Sequence, residues 1–375
     1  MHGARARRDR PRGVGRRRAH RARAPPGRRS HSPPARHHAR ARGPRLGAGG
    51  RSALRGDPSR RVVPRRARPD GLSRGPSAVD ASWAAVVVNY QAGDALTACV
   101  ASLLADASAG TVDVVVVDNG SADGSVRALR AAFPEVRVVD AGGNVGYATA
   151  ANRGIAATSA PVVAVCNPDL EVIPGTAAAM IAAFDDPTVG AVGPRVRNPD
   201  GSTYPSARCD PAPIDAAGHA ALGLVWPANP FTRRYRALDA DPDTARDVDW
   251  ASGAAVWLRR AAVEAIGGWD EGFFMYLEDV DLGRRLREAG WRVRYEPAGE
   301  VVHVQGLSTD RRAARMIVEH HRSSYRYAAK HWHGARRLLL LPAAALLAVR
   351  AAWAVVARTL ADRSGARRSG SGASR

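Results

Sequence analysis

The sequence lacks several features that mark common protein classes. Its three cysteines, Cys99, Cys166 and Cys209, are too few and too scattered for a disulfide framework or a zinc site, which fits a reducing cytoplasm. Lysine occurs once, at position 330, against 55 arginines, which indicates a GC-rich coding sequence rather than selection for phosphate contacts. No internal repeat is visible, and no apolar segment near the start has the form of a secretory signal.

Positive charge is abundant, but it is confined to one part of the chain. The formal charge is +21, and residues 1–80 hold 24 arginines against four acidic residues. The remaining residues hold 32 basic and 31 acidic side chains, so the body of the protein is close to neutral. The overall charge is therefore not evidence for a nucleic-acid-binding body.

The arginine-rich extension, residues 1–80, contains almost no large apolar residues. Such a segment cannot bury enough surface to offset its conformational entropy, so we expect it to be disordered. Three interpretations stay open. The start codon is mis-assigned and the native protein begins between residues 62 and 83, the extension is an inert tail, or it is an electrostatic anchor for anionic lipid or nucleic acid.

From residue 81 to residue 310 the sequence has the pattern of one α/β domain. Short β-branched runs alternate with amphipathic segments, which predicts a mostly parallel sheet with right-handed crossovers. The expected strands are 84–88, 114–117, 136–139, 162–166, 189–196, 254–258, 293–295 and 301–304, and the expected helices are 95–104, 125–133, 147–157, 175–184, 261–266 and 278–289. Residues 198–248 are expected to form an irregular, partly helical excursion that shapes a site for a second substrate.

Polar side chains follow the fourth predicted strand, where the chain reaches the carboxyl edge of the sheet. In Asn167-Pro168-Asp169 the two polar residues are two positions apart, so in extended backbone their side chains point the same way. Two oxygen donors on one side suit Mg²⁺ or Mn²⁺, which complete their coordination with water and substrate phosphates. The alternative is a strand-end turn without a metal, since Asn-Pro and Pro-Asp both favour turns.

Two further turns follow predicted strands. Asp118 is placed to accept hydrogen bonds from a base or a ribose, although a β-turn with a helix cap at Asp123 explains the segment equally well. The glycine-rich turn Gly142–Gly146 precedes a helix, an arrangement that lets backbone N–H groups approach a diphosphate. It lacks the three spaced glycines of the dinucleotide-binding pattern, so alone it is a weak indication.

The most specific segment is residues 267–282, in which an aromatic loop leads into a helix that begins with Glu278 and Asp279. Neighbouring helix positions diverge by roughly 100°, so one carboxylate can address a reacting hydroxyl while the other pairs elsewhere. The helix amino terminus is expected to keep a carboxylate ionised, as a general base requires. The alternative is capping of the helix by an acidic first turn.

The late histidines fall into two groups. His303 lies within the last predicted strand, where a hydrogen-bonded structural role is more common than a ligand role. Four others fit no zinc spacing and are expected at the surface or at a membrane edge: His320, His321, His331 and His333.

The carboxyl-terminal region, residues 311–362, contains the longest apolar run. Residues 338–349 are apolar, and the apolar character resumes after Arg350 up to residue 357. Pro342 and Arg350 interrupt the stretch of about 20 apolar residues that a transmembrane helix needs. We therefore expect a helix at the membrane interface with its arginines at lipid head groups, or a helix packed on the domain itself, followed by a disordered tail at residues 363–375.

A set of motifs occurs in a specific order and spacing across roughly residues 84–310. It comprises Val86-Val87-Val88-Asn89-Tyr90, Val117-Asp118-Asn119-Gly120-Ser121, Asn144-Val145-Gly146 with Asn152-Arg153-Gly154, Asn167-Pro168-Asp169, Trp250-Ala251-Ser252-Gly253-Ala254, Gly268-Trp269-Asp270 and Glu278-Asp279-Val280-Asp281-Leu282. In this set the chain resembles the family 2 glycosyltransferases, and within them the bacterial rhamnosyltransferase-type branch.

The resemblance implies an α/β fold of the GT-A type in a single Rossmann-like domain, a nucleotide-diphosphate sugar donor and inversion at the anomeric carbon. It implies that Asp279 is the base that deprotonates the acceptor, with Glu278 beside it in the catalytic pair. The implied positions are Asn89, Asp118, Asn144, Gly146, Asn152 and Asp169 for donor binding; Trp250, Ser252, Gly253, Trp269 and Asp270 for acceptor binding; and Asn167, Asp169 and His303 for Mg²⁺ or Mn²⁺. Asn167 stands where the usual Asp-x-Asp pattern has its first acid, and an amide binds divalent cations more weakly than a carboxylate.

The expected function is inverting transfer of a sugar, such as rhamnose, to a hydroxyl of a lipid-linked or polymeric cell-envelope glycan. The expected location is the cytoplasmic face of the bacterial cell membrane, through peripheral contact and without a specific nucleic-acid partner. Two alternatives stay open. A nucleotidyltransferase would need a basic glycine-rich loop, and residues 89–93 offer no cation. A non-enzymatic binder of nucleic acid or membrane would act through the arginine-rich extension.

Overall fold

The computed structural model describes residues 83–210, 212–223, 226–304 and 313–370. The arginine-rich extension and residues 371–375 lie outside the described residues. The strands are β1 (Trp83–Asn89), β2 (Val112–Asp118), β3 (Arg137–Asp140), β4 (Val162–Cys166), β5 (Leu170–Val172), β6 (Val189–Arg197), β7 (Thr203–Tyr204), β8 (Ala207–Arg208), β9 (Arg246–Val248), β10 (Trp250–Ala251), β11 (Ala255–Arg259) and β12 (Arg292–His303). The helices are α1 (Ala95–Ala105), α2 (Ser125–Ala132), α3 (Tyr147–Ala156), α4 (Thr176–Ala182), α5 (Pro213–Leu222), α6 (Pro230–Tyr235), α7 (Arg260–Ala265), α8 (Glu278–Glu288), α9 (Ala313–His331) and α10 (Leu340–Gly370).

Ten strands form one sheet in the spatial order β3-β2-β1-β4-β11-β6-β12-β5, with β7 beside β6 and β9 beside β12. β1 pairs in parallel with β2 and β4, β2 with β3, and β6 with β12. β11 runs antiparallel between β4 and β6, and β5, β7 and β9 are also antiparallel to their neighbours. Six strands therefore run in one direction, and their carboxyl ends meet the amino end of β11 at the edge where open α/β sheets bind ligands.

Helices cover both faces of the sheet, because the central strands are apolar on both sides. All seven residues of β1 and all five of β4 are buried. Leu96 and Leu103 of α1 pack on one face with Met180 of α4, and Ile155 of α3 and Leu286 of α8 pack on the other. Fully burying such a side chain contributes roughly 1.5–3 kcal/mol. The sheet is therefore the rigid base from which the loops at its edge project.

The expected α/β architecture is confirmed, with differences where strands are short or irregular. The two strands expected at 293–295 and 301–304 are one strand, β12, whose pairing with β6 shifts register between Glu296 and Glu300. Pro297 lies within this shift, where its missing N–H removes no sheet hydrogen bond. Five strands of two or three residues were not predicted: β5, β7, β8, β9 and β10.

A buried ionic cluster attaches α9 to α8. Asp281 is fully buried, and its carboxylate lies 2.7 Å from His331 Nε2, 2.6 Å from Lys330 Nζ and 2.6 Å from Arg285 Nε. A buried charge is stable only when it is paired in this way. His331, expected at the surface or at a membrane edge, is instead buried in this cluster, so that expectation was wrong.

The last helix, α10, has an apolar and exposed outer side. Pro342 does not break it, because the proline lies in the first turn, where a backbone N–H has no intrahelical acceptor. By length and composition the segment Gly334–Thr359 could cross a membrane, and none of its apolar window is buried. The helix continues to Gly370, so residues 363–370 are helical where a disordered tail was expected.

Candidate active site

A cavity of about 700 Å³ opens at the edge of the sheet where β1, β4 and β12 end. Its walls come from these strand ends, the turn before α3, the segment between β10 and β11, and the loop that leads into α8. Ten of the residues predicted from the sequence line it: Asn144, Gly146, Asn167, Asp169, Trp250, Ser252, Gly253, Glu278, Asp279 and His303. The sheet topology therefore brings together residues that are far apart in the chain.

Asn167, Asp169 and His303 form one cluster in this cavity. His303 Nε2 lies 3.0 Å from Asp169 Oδ1 and 3.3 Å from Asn167 Nδ2. Backbone hydrogen bonds hold the segment on both sides, because the Asn167 N–H donates to Ala254 O at 2.8 Å and the Val304 N–H donates to Asp169 O at 3.0 Å. The three positions predicted to bind a metal thus converge on a single point.

The side chains of this cluster fit a divalent cation that keeps open coordination positions. Among the described residues, no group of three or more His, Cys, Asp and Glu side chains could hold a metal ion. An ion held by Asp169 and His303 would therefore take further ligands from water and substrate phosphates. Asn167 is a possible third ligand, since a half-turn of its amide would present the oxygen in place of Nδ2.

The loop before α8 ends in a strained turn that sets the position of the two carboxylates. Tyr276 and Leu277 have φ values of 68° and 62°, in the left-handed region that residues other than glycine seldom adopt. Strain of this kind costs of order 1–3 kcal/mol per residue and is found where the surrounding structure holds it, often at functional sites. Here it lets α8 begin with Glu278 and Asp279 directly at the cavity wall.

Asp279 is held by two backbone amides. Its Oδ2 accepts a hydrogen bond from the Gly253 N–H at 3.0 Å, and its Oδ1 accepts one from the Val280 N–H at 2.8 Å. The Gly253 carbonyl in turn accepts a hydrogen bond from the Tyr147 hydroxyl at 2.6 Å. The segment before β11 and the start of α3 therefore fix the orientation of this carboxylate.

Burial governs the protonation of the carboxylate pair. It raises the pKa of Glu278 well above the ordinary value, and the neighbouring charge of Asp279 raises it further. Burial also raises the pKa of Asp279, but hydrogen bonds from the Gly253 and Val280 amides and the charge of Arg208 oppose the rise. The two amides and Arg208 therefore favour the ionised form of Asp279 against its burial, and the pKa of Glu278 is raised more strongly. Ionisation of Asp279 at the helix terminus stays a prediction.

Several backbone N–H groups in and after the glycine-rich turn before α3 already have acceptors within the protein, and binding of a diphosphate by this turn stays a prediction. The amides of Gly142, Val145 and Gly146 donate to the side chains of Asp140, Asn119 and Asn144, and the Tyr147 amide donates to Phe274 O. Gly146 also serves close packing. A Cβ at Gly146, whose φ is 90°, would lie 2.7 Å from Phe274 O, so this turn fixes the aromatic loop.

Asn89 and Asp118 lie behind the cavity rather than in its lining. Asn89 is fully buried, and its Nδ2 donates to Asp118 Oδ1 at 3.0 Å and approaches the Ser121 and Ser125 hydroxyl oxygens at 3.1 Å. The Ser121 N–H also donates to Asp118 at 3.2 Å. These contacts join the carboxyl ends of β1 and β2. Donor binding by Asn89 and Asp118 stays a prediction.

Asn152, Trp269 and Asp270 are also outside the cavity lining. The Asn152 amide clamps the backbone of Trp269, donating from Nδ2 to Trp269 O and accepting from Trp269 N–H, both at 2.9 Å. Asp270 pairs with Lys330 at 2.6 Å and Arg326 at 3.2 Å, which ties the aromatic loop to α9. Their predicted roles in donor and acceptor binding stay predictions, and the geometry gives all three a part in holding the loop.

Several cavity residues were not predicted from the sequence. Tyr204, Arg208 and Tyr235 come from the excursion, and Arg315 and His320 come from α9. Arg208 lies over the rings of Tyr204 and Trp250, 5.4 Å and 5.0 Å from their centroids. For the first three the only signal was the expectation that residues 198–248 shape a site for a second substrate, and the sequence contained no such signal for the two on α9.

The comparisons with known proteins agree with this geometry. Residues 84–261 match the family model described as glycosyl transferase family 2. The chain is 42% identical over 261 residues to the N-acetylglucosaminyl-diphospho-decaprenol L-rhamnosyltransferase of Mycobacterium tuberculosis, a match that covers 66% of this chain and 84% of that protein. It is 35% identical over 83 residues to the rhamnosyltransferase WbbL of Escherichia coli, covering 22% of this chain and 31% of that protein.

This chain is more distantly similar to a solved structure, the mannosyltransferase PcManGT from Pyrobaculum calidifontis in complex with GDP-Man and Mn²⁺. It is 17% identical, with a TM-score of 0.45, and the match covers 80% of this chain and 82% of that one. Neither a nucleotidyltransferase nor a non-enzymatic binder is supported by the matches in sequence. The family match and the extent of the likeness to the mycobacterial enzyme show that this chain belongs to the family 2 glycosyltransferases and has their α/β fold of the GT-A type.

Proposed function

We propose that the protein transfers a sugar, with rhamnose as the first candidate, from a nucleotide diphosphate to a hydroxyl of a polyprenyl-diphosphate-linked sugar in cell-envelope glycan synthesis. The rhamnosyltransferases that it resembles supply the candidate sugar and acceptor class. The observation that carries the proposal is the Asp279 carboxylate, aimed by two backbone amides within the cavity that also holds Asp169 and His303.

In this proposal Asp279 removes the proton of the acceptor hydroxyl as its oxygen attacks the anomeric carbon, and the configuration at that carbon inverts. The carboxylate has one free lone pair on each oxygen after its amide contacts, so it can accept a proton without leaving Gly253 or Val280 unpaired. Burial and the charge of Asp279 raise the pKa of the neighbouring Glu278, which favours its protonated form beside the base. A single positioned base of this kind contributes about 10²–10⁴ in rate.

At the other end of the reaction, Asp169, His303 and Asn167 would hold Mg²⁺ or Mn²⁺. A bound ion of this class offsets the negative charge that develops on the leaving diphosphate. The ion is needed for charge balance, because Asp169 itself is an anion in the part of the cavity that would face phosphate.

We also propose that α10 brings the protein to the cytoplasmic face of the membrane. Leu341, Val349 and Trp353 on this helix are 81%, 70% and 65% exposed, which is a large apolar area to leave in water. Arg336, Arg337 and Arg358 flank the apolar segment, where they can meet anionic head groups on the cytoplasmic side. An active site that acts on a lipid-linked acceptor would then lie close to the bilayer.

The test is nucleotide release from a panel of nucleotide-diphosphate sugars, with and without polyprenyl-diphosphate-linked N-acetylglucosamine. We expect release that depends on the acceptor, with one sugar strongly preferred, and a product whose anomeric configuration is opposite to that of the donor. Asp185→Asn, a change at an exposed acid remote from the cavity, is the matched control and should behave as wild type. Acceptor-independent release with every donor, or retention of configuration, would contradict the proposal.

A further inference from the structure

A second cavity, of about 690 Å³, adjoins the active-site cavity. It lies between the excursion helices α5 and α6 and the carboxyl-terminal helices α9 and α10. We name it the side groove. The residues that line both cavities are Tyr204, Arg208, Tyr235, Leu277 and His320. The side groove therefore leads directly from the active site to the inner side of α10.

Most of the lining of the side groove is apolar. Ile214 and Ala216 of α5 face Ala343, Leu346 and Leu347 of α10 across it. Ile214 is 68% exposed, and with the apolar side chains of α10 it belongs to one contiguous apolar lining. A linear hydrocarbon could cover these side chains and remove their apolar surface from water.

Positive charge is placed where the side groove meets the active site. Among the described residues that line the groove there are three arginines, Arg208, Arg236 and Arg350, and no acidic residue. The three surround His219, whose pKa is lowered to about 4 by burial and then by the charges of these arginines. A cluster of three guanidinium groups matches a ligand that carries a compact negative charge, such as a diphosphate.

The location of Arg350 strengthens this argument. It is the one charged residue of the apolar segment between Arg337 and Arg358, and it lies on the inner side of α10, with Nη1 3.2 Å from His219 O. Leu341, half a turn away from Arg350 around the same helix, is 81% exposed. The helix thus lies between an outer apolar surface and the side groove. The groove is apolar near Ala343, Leu346 and Leu347 and cationic near Arg350.

We infer that the side groove binds the polyprenyl diphosphate portion of the acceptor, with the isoprenoid chain between α5 and α10 and the diphosphate at Arg208, Arg236 and Arg350. The acceptor sugar then reaches Asp279 through the shared wall of the two cavities. This inference rests on the proposed function, and it adds the site that recognises the lipid.

The binding test does not depend on turnover. The full chain in detergent is irradiated with a photoreactive farnesyl diphosphate, and the labelled peptides are identified by mass spectrometry. We expect labelling of residues 213–222 and 339–350, competed by unlabelled farnesyl diphosphate. Competition of equal strength by a phosphatidylcholine would mean that the groove takes ordinary bilayer lipid, and labelling elsewhere would mean that the groove is not the lipid site; either result overturns the inference.

Two pairs of variants on α10 separate the roles of shape and charge. Ala343→Trp fills the groove, whereas Ala345→Trp makes the same change at an exposed position outside its lining. Arg350→Gln removes a groove cation, whereas Arg358→Gln removes one outside it. We expect each groove variant to weaken farnesyl diphosphate binding by about tenfold or more and each control by less than about twofold. Equal effects within a pair would overturn the inference.

Kinetics distinguish failure of this inference from failure of the proposed function. Wild type should turn over a long-chain acceptor with a higher kcat/KM than a short-chain one, and Ala343→Trp should lose that preference while its KM for the donor stays the same. If wild type transfers sugar but shows no chain-length preference, the groove assignment is wrong and the function stands. If wild type transfers to no lipid-linked acceptor but still shows groove labelling, the proposed acceptor sugar is wrong.

Discussion

Replacement of Asp279 by asparagine tests the assignment of the base most directly. The side chain keeps its shape, so acceptor and donor should still bind, but the group can no longer take up a proton. We expect kcat to fall by about 10²–10⁴, the usual contribution of a general base, which corresponds to roughly 2.7–5.4 kcal/mol in the activation barrier. Donor affinity should change by no more than a few-fold, because in the proposed function Asp279 acts on the acceptor hydroxyl and Asp169 and His303 face the diphosphate.

The structure also predicts a secondary effect of Asp279→Asn on stability. Asp279 accepts hydrogen bonds from both the Gly253 and the Val280 amides, and an asparagine can accept at only one of its two terminal atoms. One amide is left facing an NH₂ group, at a cost of about 1–3 kcal/mol. Loss of a buried negative charge next to Glu278 offsets part of this cost.

The assay is single-turnover transfer at saturating donor, with donor affinity measured separately by calorimetry. The acid limb of the wild-type kcat/KM profile provides a second readout. Burial raises the pKa of Asp279, so activity should fall with decreasing pH at a value above the ordinary aspartate pKa of 3.8. Retention of more than about a tenth of wild-type turnover by Asp279→Asn, with donor binding intact, would refute the assignment.

Four substitutions and two truncations have defined outcomes. Asp169→Ala should lower donor affinity and turnover together. Asn167→Asp should keep activity or raise the affinity for Mn²⁺, as measured by a chelator titration. Full activity of the wild-type enzyme in excess chelator would exclude the metal. Glu278→Gln should stabilise the protein at higher pH. The pKa of Glu278 is raised in the folded state, so the stability that this side chain contributes below the ordinary glutamate value of 4.5 is lost as pH rises. Thermal melts should show a gap in Tm between the variant and wild type that grows with pH. At Asp281 burial would raise the pKa, but the hydrogen bond from His331 and the charge of Arg285 outweigh it and lower the pKa. The stability that the Asp281 ion pairs contribute is therefore present above pH 3.8 and lost as pH falls. Asp281→Asn should lower the free energy of unfolding in urea by about 3–5 kcal/mol at neutral pH and by less in acid. Removal of residues 336–375 should abolish flotation with anionic liposomes at low and high salt, whereas removal of residues 1–78 should not; release by the second truncation alone would place the anchor in the arginine-rich extension.

The main strands could be predicted because their information is local. β1, β2 and β4 are runs of valine and alanine with turn residues at each end, and their bounds differ from expectation by two residues at most. The short strands carry no comparable signal, since two or three residues cannot show a period. In β12 the sequence from Glu296 to Glu300 reads as a turn, yet pairing with β6 continues on both sides of the irregularity. Neighbouring strands, rather than local preference, decide that segment.

The site was predictable to the extent that its residues belong to ordered motifs. The end of a predicted strand indicated Asn167 and Asp169, and the aromatic loop indicated Glu278 and Asp279. All four line the cavity. The sequence does not show which residues of a motif face the cavity. Asn152 and Asp270 are as prominent in sequence as Asp169, but internal partners occupy them, Trp269 for the first and Lys330 for the second. Only the three-dimensional contacts separate residues that hold the loop from residues that line the cavity.

Arg208 shows why the excursion could not be interpreted from the sequence and what it adds to the site. It stands in a two-residue strand that has no pattern of its own. In the structure it lines both cavities, lies over the rings of Tyr204 and Trp250, and opposes the rise in the pKa of Asp279. A diphosphate bound beside Arg208 would neutralise part of that charge. Asp279 would then hold a proton more readily once the acceptor is in place, which moves its pKa toward that of an effective base without moving any backbone atom.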